Sequence, residues 1–240
     1  MKQICKLVVM LLLTFTVGVQ AQLVTYPESL NPGIPHNDDY TVRVRIPGGE
    51  WKDLFEYNVQ VDMDNVQNAS MVQFDMGSAV EVMVKKNNGS VREVAIRPLS
   101  KGIEYKQIQN AILFTLEKPQ YLSIEFDGDR LHNLHLFANP LETEKYDKEA
   151  KGIMYFGPGV HRPKDLPNNQ IRIPGNTTVY LAPGAVVKAK LLVDKAENVR
   201  IIGRGILDHP IRGIEVTDSK NVLIDGITAV SYTHLRAHET

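Results

Sequence analysis

The chain has 240 residues, 27 basic against 28 acidic side chains for a formal net charge of −1, and 43% hydrophobic residues. Balanced charge with no basic run speaks against a nucleic-acid or membrane-surface partner, and the apolar content excludes a disordered chain. The single cysteine, Cys5, excludes an internal disulfide and a cysteine-built metal site, so stability has to come from a packed core.

The N-terminus reads as a secretory signal peptide over residues 1–21. Lys2 and Lys6 precede the apolar run Leu7 to Phe15, and Val19-Gln20-Ala21 supplies the small residue at the cut. Cleavage is expected between Ala21 and Gln22. The apolar run is shorter than the roughly 20 residues that cross a bilayer. Cys5 leaves with the peptide, and no cysteine stands at the cut to carry a lipid. These features predict a secreted or periplasmic protein with no membrane anchor after cleavage and no nucleic-acid partner.

Residues 22–140 are predicted to form a β-sandwich. Val42, Val44 and Ile46 alternate with Arg43 and Arg45, and Val80, Val82 and Val84 alternate with Glu81 and Met83. Val91, Val94 and Ile96 follow the turn Asn87-Asn88-Gly89-Ser90. Ile112, Phe114 and Leu116, then Leu122, Ile124 and Phe126, then Leu134, Leu136 and Phe137 continue the series. Short period-two strands separated by Gly, Asn, Asp and Pro turns specify an antiparallel sandwich. Residues 141–152 are charged and poor in apolar side chains, the composition of a linker.

Residues 153–229 repeat. Asn176-Thr177-Thr178-Val179-Tyr180-Leu181, Glu197-Asn198-Val199-Arg200-Ile201-Ile202-Gly203 and Lys220-Asn221-Val222-Leu223-Ile224-Asp225-Gly226 share an Asn, a β-branched core and a closing Gly. A repeat in this length range, with strands of a few residues and no helical period between them, predicts a parallel β-helix. Val179, Val199 and Val222 are expected one above another, with Leu181, Ile201 and Ile224 also facing inward. Each Asn is expected at a corner, bonding neighbouring coils or taking the left-handed conformation.

The tail from Val230 to Thr240 has neither strand alternation nor a turn signal, and resembles a translated sequencing adapter. It is therefore expected to be non-native, with the gene running on past Ala229 and the chain an N-terminal fragment. On that expectation His234 and His238 are no metal pair.

Three runs carry a family resemblance: Tyr155-Phe156-Gly157-Pro158-Gly159-Val160-His161, Thr178 to Lys188, and Gly203-Arg204-Gly205-Ile206-Leu207-Asp208. They resemble the opening coils of right-handed parallel β-helix glycoside hydrolases. Ile96 to Ser100, Leu122 to Phe126 and His135 to Pro140 look like the sandwich that precedes the β-helix in dextranases and isopullulanases (family 49). The Gly-x-Gly-x-Leu-Asp step is similar to one in polygalacturonases (family 28). The resemblance implies an all-β fold, sandwich first and β-helix second, and inverting hydrolysis of a polysaccharide. Such chemistry uses an acid and a base carboxyl about 6.5–9.5 Å apart. It implies no cofactor, a pectic or glucan partner, and a monomeric full-length protein. Beyond Val160 there is no Asn-Thr-Asp, Asp-Asp or Gly-His-Gly triplet, so the catalytic residues are expected downstream of Ala229. The first expectation is a polygalacturonase-like hydrolase. Alternatives are a dextranase/isopullulanase-type enzyme, a calcium-dependent polysaccharide lyase, and a non-catalytic carbohydrate-binding or adhesin module.

Within the chain, Asp208 and Asp225 are the candidate groove residues, while Asp194 and Asp218 read as solvated corners. His132 and His135 are three apart in one expected strand and so face opposite sides, which argues against a metal site shared with His161. Trp51 reads as hairpin packing with a sugar platform as the alternative, and Tyr155 and Phe156 read as β-helix core.

Overall fold

The computed structural model describes residues 22–62, 65–164, 167–208 and 213–230. The expected signal peptide with Cys5 and Ala21 lies outside the described residues, as does the tail with His234 and His238 except for Val230, which ends a strand.

The sandwich is built from strands β1 (Leu23–Thr25), β2 (Tyr40–Arg45), β3 (Lys52–Asp53), β4 (Tyr57–Val61), β5 (Gln67–Met76), β6 (Val80–Lys86), β7 (Val94–Arg97), β8 (Tyr105–Ile108), β9 (Ala111–Leu116), β10 (Gln120–Phe126) and β11 (Leu134–Pro140). A five-stranded sheet runs β3-β2-β6-β9-β8; its partner runs β1-β5-β11-β10-β7, with β4 on a second stretch of β5. Alternation drives the assembly. Val42, Val44, Val80, Val82, Val84, Ile112, Phe114 and Leu116 project from the first sheet onto Val72, Phe74, Leu122, Ile124, Phe126, Leu134 and Leu136 of the second.

One pairing departs from the antiparallel expectation. β11 runs parallel to β5, from Leu134 opposite Ser70 to Pro140 opposite Met76. The chain leaves β5 for the other sheet and returns to its neighbour only at β11, which arrives in the same direction; parallel pairs need such a long connection. β5 is also the longest of the strands the alternation missed. Its last eight residues are buried on both faces, polar Ser70, Gln73 and Asp75 included, so no period of two shows.

The second half is a solenoid of three full coils and part of a fourth. The coils are β12 (Ile153–Phe156), β13 (Gly159–His161) and β14 (Gln170–Arg172); β15 (Thr178–Leu181), β16 (Ala185–Val187) and β17 (Lys190–Asp194); β18 (Glu197–Gly203), β19 (Ile206–Asp208) and β20 (Ile214–Thr217); then β21 (Lys220–Asp225) and β22 (Thr228–Val230). They stack as three parallel sheets: β12-β15-β18-β21, β13-β16-β19-β22 and β14-β17-β20. Val179, Leu181, Val187, Leu191, Val193, Val199, Ile201 and Leu207 fill the shared interior.

The register corrects the expected columns. Val199 lies over Val222, but Val179 pairs with Ile201, and Ile201 with Ile224. Thr177 occupies the place opposite Val199, its carbonyl accepting from Arg200 N at 3.0 Å. The slip is two residues, which leaves every side chain on the expected face because faces alternate at each residue. The asparagines are the true register marks. Asn176, Asn198 and Asn221 all adopt positive φ (54°, 58° and 51°). Their amides form a ladder, Asn198 Nδ2 to Asn176 Oδ1 at 3.0 Å and Asn221 Nδ2 to Asn198 Oδ1 at 2.7 Å.

The stretch read as a linker is packed against the solenoid. Tyr180 donates its hydroxyl to Glu142 at 2.9 Å, and Tyr146 lies on Tyr180 with ring centroids 4.6 Å apart. Arg200 grips Glu144 with both terminal nitrogens, at 2.9 and 2.7 Å. Two of the charges that suggested a solvated linker, Glu142 and Glu144, are spent on those contacts, while Lys145, Asp147, Lys148, Glu149 and Lys151 are exposed.

Candidate functional site

The outward side chains of the sheet β13-β16-β19-β22 are apolar because the sandwich covers them. Val186 and Ile206 pack against Tyr57, Val59, Ala69 and Met71 of β4 and β5, with Val160 and Val230 at the margin. A buried ion pair fixes this seam. Arg204, in the turn between β18 and β19, donates Nε to Asp75 Oδ1 at 2.8 Å, Nη2 to the Pro140 carbonyl at 2.6 Å and Nη1 to the Gly203 carbonyl at 3.1 Å. Gln73 donates to the Arg204 carbonyl at 2.9 Å. The Arg204 and Asp75 side chains are 6% and 3% exposed. Burial works against the Arg204 charge, but hydrogen bonding and attraction to Asp75 outweigh it and push its pKa up. Burial, then Asp75, pushes the neighbouring Tyr26 hydroxyl far above its usual range.

Beside this clamp the seam opens into a cleft of about 230 Å³. Three successive coils each place one charged residue on its rim. His161, Val187 and Leu207 are in register, so the residues that follow them, Arg162, Lys188 and Asp208, stand at equivalent positions. The Lys188 ammonium pairs with the Asp208 carboxylate. Among the described residues Arg162 makes no ion pair. The sandwich contributes Tyr57, Asn58 and Gln60. Tyr57 donates its hydroxyl to Asn31 at 2.7 Å, and the Asn58 amide is held between Asn37 and Asn68 at 3.0 and 3.2 Å. Those two side chains therefore form a fixed wall, while Gln60 is exposed.

Of the two candidate aspartates, Asp208 lines this cleft. Asp225 does not: it ends β21 in another sheet and borders a hollow of about 240 Å³ with Glu142, Glu144, Arg200 and Arg204. The two are not brought together as an acid–base pair, and Asp208 is already committed to Lys188. Sequence reasoning missed Arg162, Lys188 and Gln60. A signal for the first two existed: Val160-His161-Arg162, Val186-Val187-Lys188 and Ile206-Leu207-Asp208 repeat the order apolar, variable, charged at each strand end.

The chain folds like Dex49A from Penicillium minioluteum. The match has a TM-score of 0.59 at 18% identity and covers 83% of this chain. At that identity the likeness is one of fold. The chain spans 58% of the length of Dex49A. No protein-family model matches the chain, and no curated protein does.

Away from the seam, the other candidate side chains have structural roles. Among the described residues, no group of three or more His, Cys, Asp and Glu side chains is placed to hold a metal ion. His132 is not in a strand, as expected, but in the bend before β11, where its Nδ1 meets Asp129 at 3.0 Å. His135 sits within β11 with its pKa lowered by burial. His161 Nε2 lies 2.6 Å from the Gly157 carbonyl, and its ring stands edge-on to Phe156. The Arg45 guanidinium lies 4.3 Å over the Trp51 ring and covers one face, in line with the hairpin-packing reading rather than the sugar-platform alternative. Phe156 faces the solenoid interior as expected, but Tyr155 faces outward onto Tyr180. Asp194 is not a free corner: it accepts from Arg172 at 2.7 Å and Thr217 at 3.0 Å, and those bonds hold its carboxyl below the usual range. Asp218 adopts a positive φ of 46° at the next corner.

Proposed function

We propose that the chain is the N-terminal part of a secreted polysaccharide hydrolase whose catalytic coils are encoded downstream of Ala229. The observation that carries the proposal is the sandwich fused to a parallel β-solenoid, the fold it shares with Dex49A. The name of that neighbour agrees with the family-49 resemblance of the sequence, and the likeness supports a β-helix glycoside hydrolase in general. A polysaccharide is accordingly the proposed substrate, cleaved with inversion. The Gly203-x-Gly205-x-Leu207-Asp208 step favours a polygalacturonase-like enzyme. The second reading, a dextranase-type glucan hydrolase, is favoured by the neighbour itself.

Features of the last coil support the view that more coils belong on this end. Leu223 and Ile224 of β21 are 46% and 45% exposed, and the sandwich residue Tyr121, which lines a hollow with Ile224, is 54% exposed. Asn139, lining the same hollow, has a buried Nδ2 with no hydrogen-bond partner among the described residues. A buried unpaired donor costs roughly 1–3 kcal/mol, which a strand laid over it would relieve.

The test is to read the genomic sequence past codon 229, express the extended protein, and assay release of reducing ends from polygalacturonan and dextran. The extended protein should hydrolyse one of them with inversion at the anomeric carbon, and the 240-residue chain should hydrolyse neither. Cleavage by the 240-residue chain would overturn the placement of the catalytic residues. Calcium-dependent formation of unsaturated ends, or binding without cleavage by the extended protein, would replace the hydrolase with the lyase or the adhesin. Mass spectrometry of the exported protein should find Gln22 at its N-terminus.

A further inference from the structure

The seam cleft goes beyond the proposed hydrolysis, which makes no use of it. We infer that it binds a small hydroxylated carboxylate, such as a uronic acid unit, with Arg162 as the charged anchor.

Charge supplies the first argument. The rim carries two cations and one carboxylate. Lys188 and Asp208 satisfy each other, so among the described residues Arg162 remains as the uncompensated charge. A single negative charge balances this set, whereas a phosphate dianion would crowd Asp208. The guanidinium fork suits a carboxylate in particular, because two parallel N–H donors meet two oxygens.

The other donors fit a polyhydroxylated body. An ammonium has three N–H donors, so Lys188 keeps two beyond its bond to Asp208. Gln60 is exposed on the opposite rim. Between them lie Val59, Val160, Val186 and Ile206, an apolar wall for the C–H face of a sugar ring. The volume of about 230 Å³ is below the ~300–1,000 Å³ of pockets for drug-sized ligands, which limits the occupant to a small unit or a chain end. Both walls are stiff. The clamp of Arg204 on Asp75 ties the solenoid to the sandwich, so the cleft is largely formed before a ligand arrives.

Calorimetric titration of the 240-residue chain tests the inference with four probes: galacturonate, galactose, acetate and inorganic phosphate. Galacturonate should bind more tightly than the other three. Arg162→Gln, at an exposed position, should leave the unfolding midpoint unchanged and weaken galacturonate about tenfold or more, the scale of a lost charge-assisted pair. Asp208→Asn should have the opposite sign: it frees Lys188 and tightens galacturonate. Arg162→Lys should fall between wild type and Arg162→Gln.

Equal affinity for galactose and galacturonate would overturn the charge argument. Acetate binding as tightly as galacturonate would overturn the hydroxylated body, and tighter phosphate binding would overturn the carboxylate. An unchanged affinity in Arg162→Gln, or a weakened one in Asp208→Asn, would overturn the assignment of these residues. None of these readouts requires hydrolysis, so an inactive extended protein would leave the inference standing, and a failed titration would leave the hydrolase proposal standing.

Discussion

Two ion pairs of very different burial mark the ends of the scale at which single residues matter here. Arg204 and Asp75 meet at 2.8 Å with almost no exposure, and each has further polar partners or neighbours at the seam. Removing one member strands the other charge in the seam. Arg204→Met should therefore destabilise by about 3–5 kcal/mol, whereas Arg204→Met with Asp75→Leu should cost much less, because no charge is left unpaired. Urea unfolding of the three proteins decides it; equal losses in single and double variants would show that packing, not charge, is what Arg204 supplies. Glu144 and Arg200 form the opposite case, an exposed pair. Hydrogen bonds from Arg200, then Tyr146, hold the Glu144 carboxyl down at about 2. A depressed carboxyl contributes stability above its ordinary value near 4.5, and that contribution is lost as pH falls through about 2. The advantage of wild type over Glu144→Gln should therefore be constant above pH 5 and fade towards pH 2. It should also shrink with salt, since exposed pairs are screened and contribute little.

At the scale of the element, the corner asparagine does two jobs that substitution separates. Asn198 takes a left-handed backbone (φ 58°) and passes its amide bond to Asn176 on one side and from Asn221 on the other. Asn198→Gly keeps the backbone and loses the ladder; Asn198→Ala loses both and adds about 1–2 kcal/mol for a left-handed non-glycine residue. Thermal midpoints should fall in the order wild type, Asn198→Gly, Asn198→Ala. An Asn198→Ala protein as stable as Asn198→Gly would show that the corner is relaxed. The same residues show what was legible in the sequence and what was not. The alternating strands β2, β6, β9 and β10 were readable because one face meets the core and the other meets water. β5 was not, because both its faces are buried. The solenoid was readable from its repeats, but aligning on Val179, Val199 and Val222 slipped by two, since Thr177 stands where the other coils have valine. The first coil, from Ile153 to Arg172, carries no corner Asn and so gave no repeat. In the cleft, Asp208 was legible from the Gly-x-Gly step. Arg162 and Lys188 became meaningful only once the coils were stacked, because they are 26 residues apart in sequence and adjacent through the register of His161 with Val187.

For the whole molecule, the decisive feature is that its two halves share one strand as a common wall: the core of the sandwich lies on one face of β5 and the solenoid on the other. The coils stack along that wall, and β20, β21 and β22 form the outermost row, with no strand paired to their outer edges among the described residues. Three such edges side by side offer unpaired backbone groups, and Leu223, Ile224 and Tyr121 add exposed apolar area around them. An uncovered edge of this kind pairs with another copy. The 240-residue chain should therefore self-associate as its concentration rises, and sedimentation velocity should follow the change. Ile224→Lys puts a charge on the strand at that end and should hold the chain monomeric. Ile108→Lys is the control: Ile108 is 49% exposed, but it lies on β8 at the far edge of the other sandwich sheet, so its replacement should leave the association unchanged. Equal suppression by both variants would mean that exposed apolar surface in general drives the association. Suppression by Ile224→Lys alone would place the contact on the open coil, and the extended protein, in which further coils would cover β21, should then sediment as a monomer at the same concentrations.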